Sequence, residues 1–177
     1  WQDMPEQYQK QRVSDPKQPY TNYPRDSVSW YQAVAYARWL DAELREANRL
    51  PDASLQVRLP TEWEWQWAAM AGVKAQKYPW GEWDGRRCNT SEAGIARTTA
   101  VGMYPHGRAT CGALDMAGNL WEWCHNDRND PKIVDGYSNG ERKVLRGGSF
   151  NPSQDHAAAS SRYGSNPYYV DYYCGLR

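Results

Sequence analysis

Apolar residues recur at helical spacing in one long segment of the first third of the chain. Ser29, with Gln32 three residues later, forms a capping box at the start of this segment. The pattern predicts an amphipathic helix over 29–49 that ends near Pro51. Its apolar positions, at intervals of three and four residues, are Trp30, Ala33, Val34, Ala37, Leu40, Leu44 and Ala47.

A second capping box predicts a shorter helix over 61–71. Thr61 and Glu64 supply it, and Gly72 stands where a helix C-cap is expected. Aromatic side chains at helical spacing usually indicate burial, so we interpret the rings of this helix as core and rim packing rather than a ligand cage. These rings are Trp63, Trp65 and Trp67, with Trp63 and Trp67 expected on one face beside Met70.

Helical periodicity is absent from the rest of the chain. Residues 1–28 are polar and broken by prolines, which predicts an irregular lead-in. After residue 73, Gly, Pro, Asn and Asp punctuate short aromatic segments, a pattern typical of short strands and ordered loops. At roughly 100–200 residues per domain, residues 1–177 form one domain. The predicted class is α+β, loop-rich, with two main helices and short antiparallel strands.

Composition and charge exclude some classes of function for this chain. The chain has 177 residues, with 21 Lys+Arg and 21 Asp+Glu, so no net positive charge favours nucleic-acid binding. No apolar run reaches the roughly 18 residues needed for membrane insertion. Ten Trp and 13 Tyr against one Phe give nearly every ring a polar group, which suits half-exposed packing and binding surfaces.

The residues that commonly carry chemistry form no recognised motif. The cysteines contain no CxxC pair, and both free thiols and one or two disulfides are compatible with their number. Cys124 and His125 are adjacent, but neighbours on a strand point to opposite faces and so make no catalytic dyad. Oxygen donors of the kind that a structural Ca²⁺ accepts are present, although each can equally well bond its own turn. These donors are Asn89, Asp115, Asn119 and Glu122.

Residues 151–173 differ in composition from everything before them. They are rich in Tyr and Ser, with scattered Asn, Asp and Gly, and they lack Leu, Ile, Met, Phe and Trp. Tyr provides a large contact area at low entropic cost and Ser adapts its hydrogen bonds, as in antibody paratopes. We interpret 151–173 as a ligand-binding region, the alternative being a merely soluble Tyr-rich loop.

Several motifs, in order, resemble the formylglycine-generating-enzyme (sulfatase-modifying factor) domain family. They are RLPTEWEWQWAAMAG (58–72), YPWG (78–81), GALDMAGNLWEW (112–123), LRGGSF (145–150) and GLR (175–177). The resemblance covers about residues 26–177 and implies a C-type-lectin-like fold with few regular strands. The family's usual opening strand is not seen, so we expect the native protein to extend further at its N-terminus.

The resemblance also bears on whether the chain is a catalyst, because metal-binding residues that enzymes of the family use are missing from it. Oxidases of the family place two copper-binding cysteines shortly after RGGS, whereas this chain has no cysteine between 125 and 173. The related sulfoxide synthases hold iron with histidines of a separate preceding domain, and no such histidine cluster occurs here. The expectation is therefore that the chain is not an enzyme, has no catalytic residues and requires no cofactor. The alternative is an oxidase or a sulfoxide-synthase-like enzyme domain.

The other branch of the family is the variable proteins of bacterial diversity-generating retroelements, in which adenines of a template, mostly in AAC codons, are mutated. Resemblance to them implies a diversified surface that binds a protein or other macromolecular ligand, in the cytoplasm or at the cell surface. The framework expected to hold this surface comprises Trp121, Trp123, Arg146 and Arg162. The expected binding residues, here called the C-terminal face, are Ser153, Asp155, His156, Tyr163, Ser165, Tyr168, Tyr169, Asp171, Tyr172 and Tyr173.

Overall fold

Three α-helices and five β-strands form the regular structure of the residues that the computed structural model describes, which are 6–72, 76–134 and 142–176. Arg177, the last residue of the GLR motif, lies outside them. The helices are α1 (Glu6–Gln9), α2 (Trp30–Glu46) and α3 (Glu62–Met70). The strands are β1 (Arg25–Asp26), β2 (Trp121–Asp127), β3 (Lys143–Arg146), β4 (Tyr163–Ser165) and β5 (Cys174–Leu176).

Both predicted capping boxes are confirmed. The Ser29 hydroxyl accepts from the backbone N–H of Gln32 at 3.3 Å, and the Gln32 side chain accepts from the Ser29 N–H at 3.0 Å. Thr61 and Glu64 form the same reciprocal pair at the start of α3, with distances of 3.2 and 2.8 Å. Each box satisfies two backbone donors that a helix start leaves without intrahelical partners, so local sequence alone fixes where both helices begin.

Helix α2 ends earlier than its periodicity predicts. Its last residue is Glu46, and Asn48 adopts a left-handed conformation with φ 51°. The N–H of Arg49 then donates to the carbonyl of Leu44 at 2.8 Å, which closes a Schellman motif. Asn tolerates this conformation better than most residues, so the chain turns before it reaches Pro51.

Of the three rings expected to form core and rim packing on α3, only Trp65 lies in the core, and the expectation that Trp63 and Trp67 are buried with it is wrong. They are 52% and 64% exposed, whereas Trp65 is 2% exposed. Helix α3 turns its Trp65 face inward because the indole N–H of Trp65 donates to the buried Glu122 carboxylate at 2.7 Å. Glu62 lies on the same face and is also buried, which a hydrophobicity pattern cannot reveal.

The sheet has the strand order β1-β5-β2-β3-β4. Strands β2 and β5 pair in parallel, and the other neighbours are antiparallel. The predicted α+β class is confirmed. Two details differ from the expectation: one strand pair is parallel, and strand β1 lies within residues 1–28, which were expected to be irregular. Gly175 explains how β1 pairs there, because a Cβ at that position would lie 2.0 Å from the Arg25 carbonyl oxygen.

Three clusters of buried side chains form the core. The first lies between α2 and the sheet and contains Trp30, Tyr31, Ala33, Val34, Leu59, Trp121, Trp123, Leu145 and Cys174. The second lies under α3 and contains Trp65, Ala69, Met70, Ala109, Met116, Cys124, Val144 and Ala159. The third contains Tyr78, Cys88, Ala117, Ala157 and Ala158. No helix in the described ranges is long and apolar enough to cross a bilayer.

Strand β3 lies in the core, as the LRGGSF motif predicts, and ends at a fully buried arginine. Arg146 donates to the carbonyl oxygens of Ser160 and Ala159 at 3.1 and 2.8 Å and also bonds Ser161 and the Gln66 side chain. Its guanidinium lies 5.2 Å from the centre of the Trp65 ring. One side chain therefore joins the sheet, helix α3 and the segment that precedes β4.

Replacing Arg146 by Met should lower the free energy of unfolding by about 2–5 kcal/mol, because the buried carbonyls of 159–161 would lose their donors. Urea denaturation of both proteins measures this difference. The matched control is Arg49→Met at an exposed position, where a change within about 0.5 kcal/mol is expected. Equal stabilities of the two variants would contradict the structural role of Arg146.

Candidate functional site

The second half of the C-terminal face is attached to the framework through its main chain. The carbonyl of Pro167 accepts from the N–H of Trp30 at 2.9 Å, at the start of α2. The carbonyls of Asp171 and Tyr173 accept from Ser27 and Trp121 at 3.2 and 2.9 Å. These bonds use backbone atoms, so this part of the attachment does not depend on which side chains the loop carries.

The first half of the face is held in a similar way. The carbonyl of Pro152 accepts from the N–H of Ser91 at 3.2 Å, and the N–H of Gln154 donates to the Glu92 carboxylate at 2.9 Å. Gly148, with φ 75°, lets the chain pass so closely that a Cβ there would meet the His156 backbone at 3.0 Å. Residues 152–157 are thus fixed against the end of strand β3.

An ion pair fixes the chain immediately before strand β4. Arg162 donates to both carboxylate oxygens of Glu62, at 2.5 and 2.7 Å, and Glu62 is 4% exposed. The Glu62 N–H in turn donates to the Asn126 side chain at 2.7 Å. Sequence reasoning predicted Arg162 as framework but did not identify Glu62 as its partner. No local signal marks a partner 100 residues away.

Most predicted binding residues are exposed. Tyr163, Tyr168, Tyr169 and Tyr172 are 47%, 42%, 51% and 44% exposed. Ser153, Asp155 and His156 are exposed as well. The remaining three predicted binding residues are half-buried: Ser165, Asp171 and Tyr173.

Ring contacts connect several of these side chains. The buried Trp121 lies between two of them, with ring centres 6.3 Å from His156 and 5.5 Å from Tyr163. Tyr172 lies 5.9 Å from Phe150 and 5.5 Å from Tyr173. Framework aromatics thus support exposed rings from beneath. Tyr168 and Tyr169 follow Pro167, whose carbonyl accepts from the N–H of Trp30 at the start of α2.

Tyr173 differs from the other tyrosines of the face. Its ring packs against the first core cluster, and a hydrogen bond with Asp171, together with burial, raises its pKa. The Asp171 carboxylate also accepts from the N–H of Tyr172 at 2.7 Å. Asp171 and Tyr173 therefore also shape the turn itself, and their role in ligand binding stays a prediction.

Of the four side chains considered for Ca²⁺, Asp115, Asn119 and Glu122 accept hydrogen bonds through their oxygens, whereas the buried Oδ1 of Asn89 has no hydrogen-bond partner in the described part of the chain. The Asn119 side chain accepts from the N–H of Thr99 at 2.8 Å and from Asn89 at 3.1 Å. The Asp115 carboxylate accepts from the N–H of Gly102 at 2.7 Å, and that of Glu122 binds Trp65. In the described part of the chain, no three His, Cys, Asp or Glu side chains converge as a metal site would require. These hydrogen bonds join segments that are distant in sequence, so the side chains of Asp115, Asn119 and Glu122 connect elements of the fold rather than bonding their own turns.

The four cysteines are free thiols in separate places. Cys174, Cys124 and Cys88 belong to the first, second and third core clusters, and Cys111 is exposed. Burial raises the pKa of Cys88 to about 12 and raises those of Cys124 and Cys174 as well. A copper(I) site needs two thiolates side by side. The thiols of this chain do not fit that group.

A comparison with protein families shows the family to which the chain belongs. The model of the sulfatase-modifying factor enzyme 1-like domain matches residues 1–177. The chain belongs to this family. The family assignment and the C-type-lectin-like class expected from the motifs are thereby confirmed.

Two relatives in the family carry enzyme names. The domain is 37% identical over 152 residues to the formylglycine-generating enzyme of Streptomyces coelicolor, covering 73% of this chain and 42% of that protein. It is 32% identical over 168 residues to the hercynine oxygenase of Mycobacterium tuberculosis, covering 87% of this chain and 36% of that protein. The chain thus spans less than half the length of these curated relatives.

A solved structure shows a similar fold. Treponema denticola variable protein 1 superposes with a TM-score of 0.68 and 25% sequence identity, covering 93% of this chain and 74% of that one. A family fold can host different functions, so these similarities place the domain beside both enzymes and a variable protein.

The expectation that the chain is not an enzyme is wrong as drawn, because the relatives include proteins named as enzymes. Its basis was the absence of two cysteines after RGGS. That absence concerns one arrangement of metal ligands only. The chain spans 42% and 36% of the length of these two relatives.

Proposed function

We propose that the domain recognises a macromolecular ligand, a protein or peptide, through the C-terminal face. The observation that carries this proposal is the exposure of Tyr163, Tyr168, Tyr169 and Tyr172 on a loop whose path is fixed by backbone bonds to the framework. Exposed tyrosines on a rigid backbone lose little entropy on binding and bury large areas. Binding of this kind needs no cofactor.

The charges on the face favour a protein ligand over a nucleic acid. Asp155 forms an ion pair with Lys77 at 3.3 Å, and Asp171 is engaged in its own turn. The face carries no arginine or lysine of its own, so it offers nothing to neutralise a phosphate backbone. Its recognition would depend on aromatic contact and hydroxyl hydrogen bonds.

The similarity to a variable protein supports a further element of the proposal, that the face is diversified. Its Tyr, Ser, Asp and His residues each differ from an AAC codon by one base change at an adenine position. Backbone attachment would let these residues change without loss of the fold. Sequencing the 3′ end of the gene tests the idea, and a near-identical downstream repeat with adenines at these codons is expected.

Replacing Tyr168, Tyr169 and Tyr172 together by Ala should remove binding and leave stability nearly unchanged. Exposed anchor rings contribute roughly 1–4 kcal/mol each at an interface but little to folding. Peptides selected from a display library on the wild-type domain should therefore lose at least 100-fold in affinity for the triple variant, while its melting temperature shifts by only a few degrees. Titration of fluorescent peptides and thermal unfolding measure the two effects.

The matched control replaces three exposed aromatics outside the face. Tyr36, Trp39 and Trp67 are 46%, 53% and 64% exposed, and their combined Ala variant should keep peptide affinity. Tyr173→Ala should instead lower stability, since that ring packs on the core. Peptides that lose affinity equally for both triple variants, or a C-terminal face variant that unfolds, would contradict the proposal.

A second candidate function is oxidation by the full-length protein, with this domain contributing substrate recognition. Its support is the 37% identity to a formylglycine-generating enzyme and the 32% identity to a hercynine oxygenase. In this case the C-terminal face would hold a substrate peptide or small molecule for a centre completed by other residues.

The second candidate predicts product formation by the full-length protein. A peptide containing Cys-x-Pro-x-Arg, supplied with copper and oxygen, would acquire an aldehyde detectable by mass spectrometry, and hercynine supplied with iron(II) and a thiol would be consumed. The triple Tyr variant is the control for the role of the face. Because the thiols of this domain do not pair, any copper-dependent product would require ligands from elsewhere in the protein.

A further inference from the structure

The described residues form a cleft of about 760 Å³. None of the residues of the C-terminal face lines it. Its walls come from the segment Gln76–Gly81, from Arg87 and from residues 108–112. Its volume lies within the range of sites that bind small molecules.

The cleft is positively charged. Arg87 and Arg108 line it, and neither Asp nor Glu is among its lining residues. Arg87 forms an ion pair with Asp84, in which the Arg87 Nε lies 3.2 Å from a carboxylate oxygen. Its Nη1 donates to the carbonyl of His106 at 3.1 Å. Arg108 is exposed and forms no ion pair within the described ranges. The chain as a whole is neutral, so this local excess of cationic groups is a property of the cleft.

Further hydrogen-bonding groups line the cleft beside the two arginines. Trp80 lines the cleft, and its buried indole N–H finds no acceptor in the described part of the chain. Its ring stacks on Tyr78 with centres 5.9 Å apart and planes at 13°, which holds the indole in place. Thr110 and Gln76 add a hydroxyl and an amide. Two guanidinium groups beside further donors are the chemistry that binds oxyanions.

We propose that this cleft binds a small molecule carrying an oxyanion, either a phosphate or a carboxylate group. Arg108 is the principal anion-binding group because its charge is unshared, and Arg87 supplies the second guanidinium. The site is independent of the proposed function, since it uses no residue of the C-terminal face.

The exposed Cys111 provides a reporter inside the cleft. It lines the wall, and its Sγ lies 3.1 Å from the carbonyl oxygen of Ala68. The other three thiols are buried and have raised pKa values, so an uncharged maleimide should label Cys111 first in the native protein. Pyrophosphate and citrate serve as the two anionic probes, with isothermal titration calorimetry as the direct measurement.

We expect at least one probe to bind and to slow the labelling of Cys111 several-fold. Arg108→Ala should weaken that binding about tenfold or more, because it removes a charge-assisted interaction, and Arg108→Lys should restore part of it. The matched control is Arg86→Ala, whose side chain is 90% exposed, pairs with Asp84 and does not line the cleft. It removes the same charge one residue from Arg87.

The outcomes are distinguishable. Binding of pyrophosphate alone identifies a phosphate ligand, binding of citrate alone a carboxylate ligand, and binding of both a general oxyanion site, provided that Arg108→Ala weakens it and Arg86→Ala does not. Absence of binding by either probe overturns the proposal. Equal weakening in the Arg108 and Arg86 variants also overturns it, because the attraction would then come from the overall charge of the surface.

Discussion

The buried guanidinium of Arg146 is the interaction on which the rest of this structure depends. It is the last residue of β3, it lies against the Trp65 ring of α3, and it binds the carbonyls of residues 159–161. Burying a charge is costly unless its donors are matched. Here four acceptors bind its two Nη groups, while the buried Nε has no partner in the described part of the chain, and the bonds tie the sheet, helix α3 and the chain before β4 to one another.

The Glu62–Arg162 ion pair extends the same arrangement by one step. Arg146 holds residues 159–161 from the sheet side, and Glu62 holds Arg162 from the start of α3. Strand β4 then begins at Tyr163 with its ring against Trp121. A polar network in the core thus positions an exposed surface, and the exposed tyrosine rings on that surface contribute little to the fold.

Local features were predictable from the sequence and long-range polar pairs were not. The two capping boxes involve residues three positions apart, so both helix starts could be predicted. The buried face of α3 could not, because its orientation depends on Glu122 and Arg162, which are distant in sequence. Composition indicated 151–173 as a binding region, and the family resemblance implied the individual residues of the C-terminal face, but neither can show that Tyr173 turns back onto the core.

Family membership alone does not decide between the two proposed functions. Backbone carbonyls and glycines attach the C-terminal segment to the framework, at Pro167, Tyr173 and Gly148 among others. Such attachment specifies the path of the chain and places no demand on most of its side chains. The same framework can therefore carry reactive groups in one member and a binding surface in another. In this chain the C-terminal segment carries exposed rings. The four thiols of the chain are distributed among the three core clusters and the cleft.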